Sequence, residues 1–295
     1  MTPITTQTIT NELQKIGFPT THDNIQLIRE KFGITVFRLR IAEKSYVGKH
    51  YTNQNDRLEI MYYEILKSIV VPTIKMIAHT DCLLLMEDIE TSDVYRLGTE
   101  EDISDPKVVR LLARWYKLLH TNGRKYDRLS KLSSINADEL TYTNIQNVMN
   151  KSNSRDNPLW QLLIPNLDSI RDAYSRMCDT VVYNDFWWDN FVVARDYSSA
   201  MMVNYNSMWR EYAYADIRNV LKVLPEATSA VFLEEYGPYD KKAKIYDDVV
   251  AYLTGLITAF DMDTFPAWAD DLLEMLHNGE LRRRFEALVL QLGLS

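Results

Sequence analysis

The sequence predicts an α+β protein: a small N-terminal antiparallel sheet with one helix set into it, then a larger, mainly helical part carrying one β-hairpin. Three observations predict this. Residues 25–86 hold short apolar, β-branched runs interrupted by one segment of helical period; beyond Asp93 the spacing turns helical; and 9 glycines in 295 residues are too few for a turn-rich all-β chain. The boundary is expected just after Met86, with an N-terminal lobe of residues 1–88 and a C-terminal lobe of residues 89–295.

Residues Thr6 to Ile16 suit a short helix, ended by Gly17 and Pro19. From Ile25 to Tyr51 the pattern is that of strands. Ile34, Val36 and Arg38 alternate with Phe37, Leu39 and Ile41, and Ala42-Glu43-Lys44 makes a polar turn before a third strand, Ser45 to Tyr51. A helix is expected over Leu58 to Ser68. After Pro72, two strands follow around Ile74 to Ala78 and Leu83 to Met86. In the second part, Leu111, Leu112, Trp115, Leu118 and Leu119 lie on one stripe of a helix from Val108 to His120. Further helices are expected over Leu159–Met177, Tyr214–Leu224, Ala243–Phe260, Ala267–His277 and Leu281–Leu292. Phe191–Ala194 and Ala200–Val203 flank a turn and read as a hairpin.

Composition narrows the function. Lys and Arg number 33 against 41 Asp and Glu, a formal charge of -8, which disfavours a nucleic acid partner. An acidic balance suits a cationic small substrate and is equally ordinary in a cytoplasmic protein. Cys82 and Cys178 have no metal-ligand spacing, and the 5 histidines form no zinc motif. The polar start of the chain is unlike a signal peptide, and no apolar run is long enough to span a bilayer, so a cytoplasmic location without membrane contact is expected.

The segment richest in chemistry is Tyr183-Asn184-Asp185-Phe186-Trp187-Trp188-Asp189-Asn190, followed at once by the hairpin. A carboxylate and an amide five positions apart on a short loop can face one cleft. The carboxylate then takes a proton from an attacking hydroxyl, while the amide oxygen reaches a metal ion. The hairpin's return strand would bring Asn204 beside the pair. Taken alone, Asp-x-x-x-x-Asn is common, and a polar turn before a strand explains it as well.

With the hairpin included, residues Val181 to Val220 resemble the aminoglycoside phosphotransferase and choline kinase family, whose fold is bilobal and protein kinase-like. That family's loop usually reads His-Gly-Asp-x-x-x-x-Asn. Here Tyr183 and Asn184 replace His-Gly, Asp185 and Asn190 match, Tyr205 matches an aromatic residue, and Asp216 matches the aspartate that braces the catalytic loop. The resemblance implies ATP (or GTP) and Mg2+ as cofactors, and transfer of the γ-phosphoryl group to a hydroxyl of a small molecule. It makes Asp185 the catalytic base and Asn190 and Asn204 the magnesium ligands.

It extends into the first lobe. Val47 and Lys49 share one strand face. In the family the valine packs on adenine and the lysine pairs with phosphates, held by a glutamate matched here by Glu59; Glu64 competes for that role from another helix face. Leu83 to Ile89 resembles the hinge, where the Glu87 carbonyl and the Ile89 amide would meet the adenine edge with Met86 behind it. Phe32-Gly33-Ile34-Thr35 stands at the phosphate loop, with one glycine and no cradle of successive amides. His120 reads as structural. Trp187 and Trp188 are an aromatic wall or core. Asp261, Asp263, Asp270, Asp271 and Glu274 read as a solvated face.

One departure matters. The family has a chelating aspartate where this chain has Asn204, and a neutral amide holds a hard cation less well. An active kinase, a weak one, and a silent nucleotide-binding pseudokinase stay open, as does a helical interaction protein whose motif matches are accidental. The substrate and the oligomeric state are not legible.

Overall fold

The computed structural model describes residues 6–31, 33–53, 57–134 and 139–294. The N-terminal strands are β1 (Ile25–Lys31), β2 (Ile34–Ile41), β3 (Lys44–Tyr51), β4 (Met76–His79) and β5 (Leu83–Glu87). They form one antiparallel sheet in the order β1-β2-β3-β5-β4, with α2 (Leu58–Ser68) inserted between β3 and β4. The alternation read from the sequence decides the two faces. Phe37 and Leu39 of β2 and Leu83 and Leu85 of β5 are buried with Ile9 and Leu13 of α1 (Thr6–Lys15). The intervening residues, among them Val36, Val47, Lys49 and Met86, are left for the opposite face. There α2 buries Glu59, Tyr63 and Leu66.

Gly48 belongs to the packing of the first face. A Cβ there would lie 2.1 Å from the tip of the Phe37 ring, which is itself fully buried. Gly48→Ala is therefore expected to destabilise the protein by about 1–3 kcal/mol through overpacking. Urea unfolding checks this; an unchanged midpoint would mean that Phe37 has room to move.

The chain divides into two compact units. The first comprises Met1–Tyr126, Tyr183–Met208 and Arg218–Gly237. Besides the five-stranded sheet it contains a three-stranded one in the order β6-β8-β9, made of Tyr95–Leu97, Phe191–Ala194 and Ala200–Met202. Helix α3 (Pro106–Gly123) starts at Pro106, with the Asp105 carboxylate accepting the Lys107 N–H at 2.8 Å. It buries Leu111, Leu112, Trp115 and Leu119 and packs on α7 (Glu226–Tyr236) and on β9.

The second unit comprises Asp127–Val182, Trp209–Ile217 and Pro238–Ser295. Strands β7 (Thr180–Val182) and β10 (Trp209–Glu211) pair antiparallel. Its helices are α4 (Tyr142–Lys151), α5 (Leu159–Met177), α8 (Lys241–Asp261), α9 (Asp270–His277) and α10 (Glu280–Leu292). Helix α6 (Tyr214–Val223) runs along the chain from the second unit into the first. Among the described residues no helix is long and apolar enough to cross a membrane.

The expected helices and the hairpin are present, with ends shifted by a few residues. The expectation that the hairpin alone interrupts the helical pattern beyond Asp93 is corrected by β6, β7 and β10, three strands of three residues each. So short a strand carries too little alternation to register. Helices α4 and α7 were also not legible. The first buries only Ile145 and Val148, and the second buries Thr228, Phe232 and Tyr236, with no apolar stripe to announce it.

Candidate functional site

Period two brings Val47, Lys49 and Tyr51 to one face of β3, and α2 presents Glu59 to them. The Lys49 ammonium donates to both Glu59 oxygens, at 2.8 and 2.9 Å. Glu59 is fully buried, so it needs every partner it has. The Tyr51 hydroxyl donates to it at 2.7 Å and the Tyr205 backbone N–H at 3.2 Å. Glu64, the competitor, is exposed to solvent.

The hairpin supplies the rest. Lys49 also donates to Asn204 Oδ1 at 2.6 Å, Asn204 Nδ2 donates to Asn190 Oδ1 at 2.6 Å, and Asn190 Nδ2 donates to the Asp185 carboxylate at 3.0 Å and its carbonyl at 3.1 Å. Glu59, Lys49, Asn204, Asn190 and Asp185 thus form one unbroken polar chain, all within the first compact unit. Asn204 follows β9 in the left-handed region, with φ 65 and ψ 73. Asparagine tolerates that conformation better than other residues with a Cβ.

The two departures from His-Gly have local explanations. Asn184 takes φ 65, the left-handed value that glycine would accept most easily, and its side-chain oxygen accepts from Asn219 Nδ2 at 2.6 Å. Tyr183 is fully buried, and its hydroxyl donates to the Val203 carbonyl, tying the loop to the return strand of the hairpin.

Asp185 itself is half-buried. Burial pushes its carboxyl above the ordinary aspartate value; the hydrogen bond from Asn190 opposes that rise and the charge of Asp189 adds to it. The sign for stability follows. With the folded value raised, the favourable contribution is full below the unfolded pKa and is lost as pH rises through the folded one. Asp185→Asn should therefore melt at a higher temperature than the parent at neutral pH, with the difference shrinking towards pH 4. Thermal melts across that range check it, and a gap that widens in acid would contradict it.

Beside the polar chain lies a cavity of about 280 Å³, walled by Val36, Val47, Met86, Ile89 and Val203, with Lys49 and Asn204 among its polar lining. Tyr63 lies in the wall and its hydroxyl contacts Met86 Sδ at 3.0 Å. At Glu87–Ile89 the chain leaves β5, and Asp88 braces it. Its carboxylate accepts from Arg38 Nε at 2.6 Å and from Ser45 Oγ at 2.5 Å. Burial works against ionising Asp88, but those hydrogen bonds prevail and hold its carboxyl below the ordinary value.

The donor set does not fit a magnesium ion. The two oxygens expected to hold one, Asn190 Oδ1 and Asn204 Oδ1, are brought together, yet both are neutral and both already accept hydrogen bonds. Among the described residues no group of three or more His, Cys, Asp or Glu side chains is arranged to hold a metal.

The sequence thus named Lys49, Glu59, Met86, Glu87, Ile89, Asp185, Asn190 and Asn204, and all lie in this unit. Tyr51, Arg38 and Asp88 escaped it. Alternation could have flagged Tyr51, two residues after Lys49, and Arg38, two after Val36. Of the phosphate-loop segment, Phe32 lies outside the described residues; Gly33 takes φ 81 and its carbonyl accepts the Thr52 N–H at 2.9 Å. Trp187 is 48% exposed, so it is no part of the core. His120 is buried with its Nδ1 2.8 Å from the Tyr236 hydroxyl, a structural place. Asp261, Asp263, Asp270, Asp271 and Glu274 are all exposed.

No protein-family model and no curated protein matches the sequence. Solved structures do match in fold. The macrolide 2'-phosphotransferase MphH from Brachybacterium faecium is 12% identical over 92% of this chain and 97% of its own, with a TM-score of 0.58. The choline kinase LicA from Streptococcus pneumoniae is 15% identical over 88% of this chain and 93% of its own, at 0.54. The spectinomycin phosphotransferase APH(9)-Ia, in complex with ADP and spectinomycin, is 12% identical over 97% of this chain and 99% of its own, at 0.53. The chain has the fold shared by the aminoglycoside phosphotransferases and the choline and ethanolamine kinases.

Proposed function

We propose that this protein binds a nucleoside triphosphate, ATP or GTP, and transfers its γ-phosphoryl group to a hydroxyl of a small molecule. The observation that carries this reading is the polar chain from Glu59 through Lys49, Asn204 and Asn190 to Asp185, running beside a cavity walled by the apolar side chains of Val36, Val47, Met86, Ile89 and Val203. The fold, and the ADP in the spectinomycin phosphotransferase structure, support it.

In this reading the purine lies between Val36, Val47 and Met86, with the Glu87 carbonyl and the Ile89 amide on its edge, at the junction of residues 1–88 and 89–295. Lys49, steered by Glu59, meets the phosphates. The acceptor hydroxyl gives its proton to the Asp185 carboxylate as its oxygen bonds to the γ-phosphorus. The bond from that phosphorus to the β-phosphate bridging oxygen breaks, and the nucleoside diphosphate leaves. Positioning does most of the work. Since the ionised carboxylate is the base, the rate should rise with pH through a pKa above the ordinary aspartate value of 3.8. A pH–rate profile checks this, and an acid limb at or below that value would contradict it.

A second reading, nucleotide binding without transfer, is favoured by one observation: the Asn204–Asn190 contact leaves little charge to neutralise a transition state. Nucleotide release assays with a panel of aminoglycosides, amino alcohols and sugars separate the two. Acceptor-dependent ADP formation supports transfer; nucleotide binding with no acceptor effect supports the second reading; absence of nucleotide binding overturns both.

A further inference from the structure

The orientations of the two asparagine amides are dictated by the ends of the polar chain. Lys49 has only donors to offer, so Asn204 must turn Oδ1 to it, at 2.6 Å. That leaves Asn204 Nδ2 to face Asn190 Oδ1, also at 2.6 Å. Asn190 must then turn its own Nδ2 to Asp185, whose carboxylate can only accept, at 3.0 Å. Reversing either amide would set donor against donor at one end and acceptor against acceptor at the other.

Asn190 Oδ1, ahead of the hairpin, thus meets the partly positive N–H2 group of Asn204, which follows it. A cation held at that place would likewise offer positive charge to the Asn190 oxygen. We propose that the Asn204 amide takes the part of a divalent cation, so that the protein binds nucleotide phosphates through Lys49 without one. This inference rests on the nucleotide-binding half of the proposed function. A magnesium ion entering here would have to break the Asn204–Asn190 hydrogen bond and compete with the Lys49 ammonium for the Asn204 oxygen. In exchange it would find two neutral oxygens, a poor return for a strongly hydrated ion. An aspartate at position 204 reverses the logic. Its second oxygen would face Asn190 Oδ1, acceptor against acceptor, and a cation between them would relieve the conflict.

Calorimetric titration with ADP and with a non-hydrolysable ATP analogue, in EDTA and in magnesium chloride, tests this. The parent protein is expected to bind both in EDTA, and magnesium is expected to tighten binding by less than about threefold. For Asn204→Asp, weaker binding in EDTA and a gain of about tenfold or more on adding magnesium are expected. A gain of threefold or more in the parent overturns the inference while leaving the nucleotide reading intact. No binding under either condition overturns both. The parent measurement decides the matter by itself if Asn204→Asp does not fold.

Discussion

Asp185→Asn is expected to lower phosphoryl transfer by about 10²–10⁴-fold, the usual contribution of a general base, with nucleotide affinity nearly unchanged. The geometry explains the split. Two amides stand between Asp185 and Lys49, and the Asn190 N–H2 that reaches Asp185 would find an amide oxygen equally acceptable. What disappears is the acceptor for the hydroxyl proton. Steady-state rates and calorimetry on the same preparation check both halves. Transfer within about threefold of the parent would remove Asp185 from the base role.

Lys49→Met is expected to have the largest effect on stability. It strips a fully buried carboxylate of its cation, and breaking such a pair from one side costs about 3–5 kcal/mol. The Tyr51 hydroxyl and the Tyr205 N–H remain on Glu59, which places the expectation towards the lower end of that range. Adding Glu59→Gln should restore much of the loss, because the neutral amide no longer needs a counter-charge. Urea unfolding of the single and double variants reads this directly. If Lys49→Met unfolds at the parent's denaturant concentration, water or another cation must already serve Glu59.

The features legible in the sequence share one property: they follow from spacing along a single element. Period two put Val47 and Lys49 together, helical period separated Glu59 from Glu64, and the turn between Phe191–Ala194 and Ala200–Met202 announced a hairpin that carries Asn204 back to Asn190. The five-stranded sheet was legible for the same reason, because β2 and β3 are long enough to alternate. What stayed hidden depends on groups far apart in the chain. The Tyr205 backbone N–H on Glu59 joins residues 146 positions apart, and Arg38 and Asp88 are 50 apart. The amide orientations are further removed still, since they follow only once Lys49 and Asp185 are known to bound the same row. Even so, the replacement of an aspartate by Asn204 was visible as a weakened metal site. That its N–H2 group would fill the gap was not.

Photolabelling with azido-ATP, followed by mass-spectrometric mapping of the modified peptides, addresses the central claim most directly. The cavity walled by Val36, Val47 and Met86 should take the label, and unlabelled ATP should protect it. Label that falls on the second compact unit, or that unlabelled ATP does not displace, would contradict the assignment of this cavity as the nucleotide site.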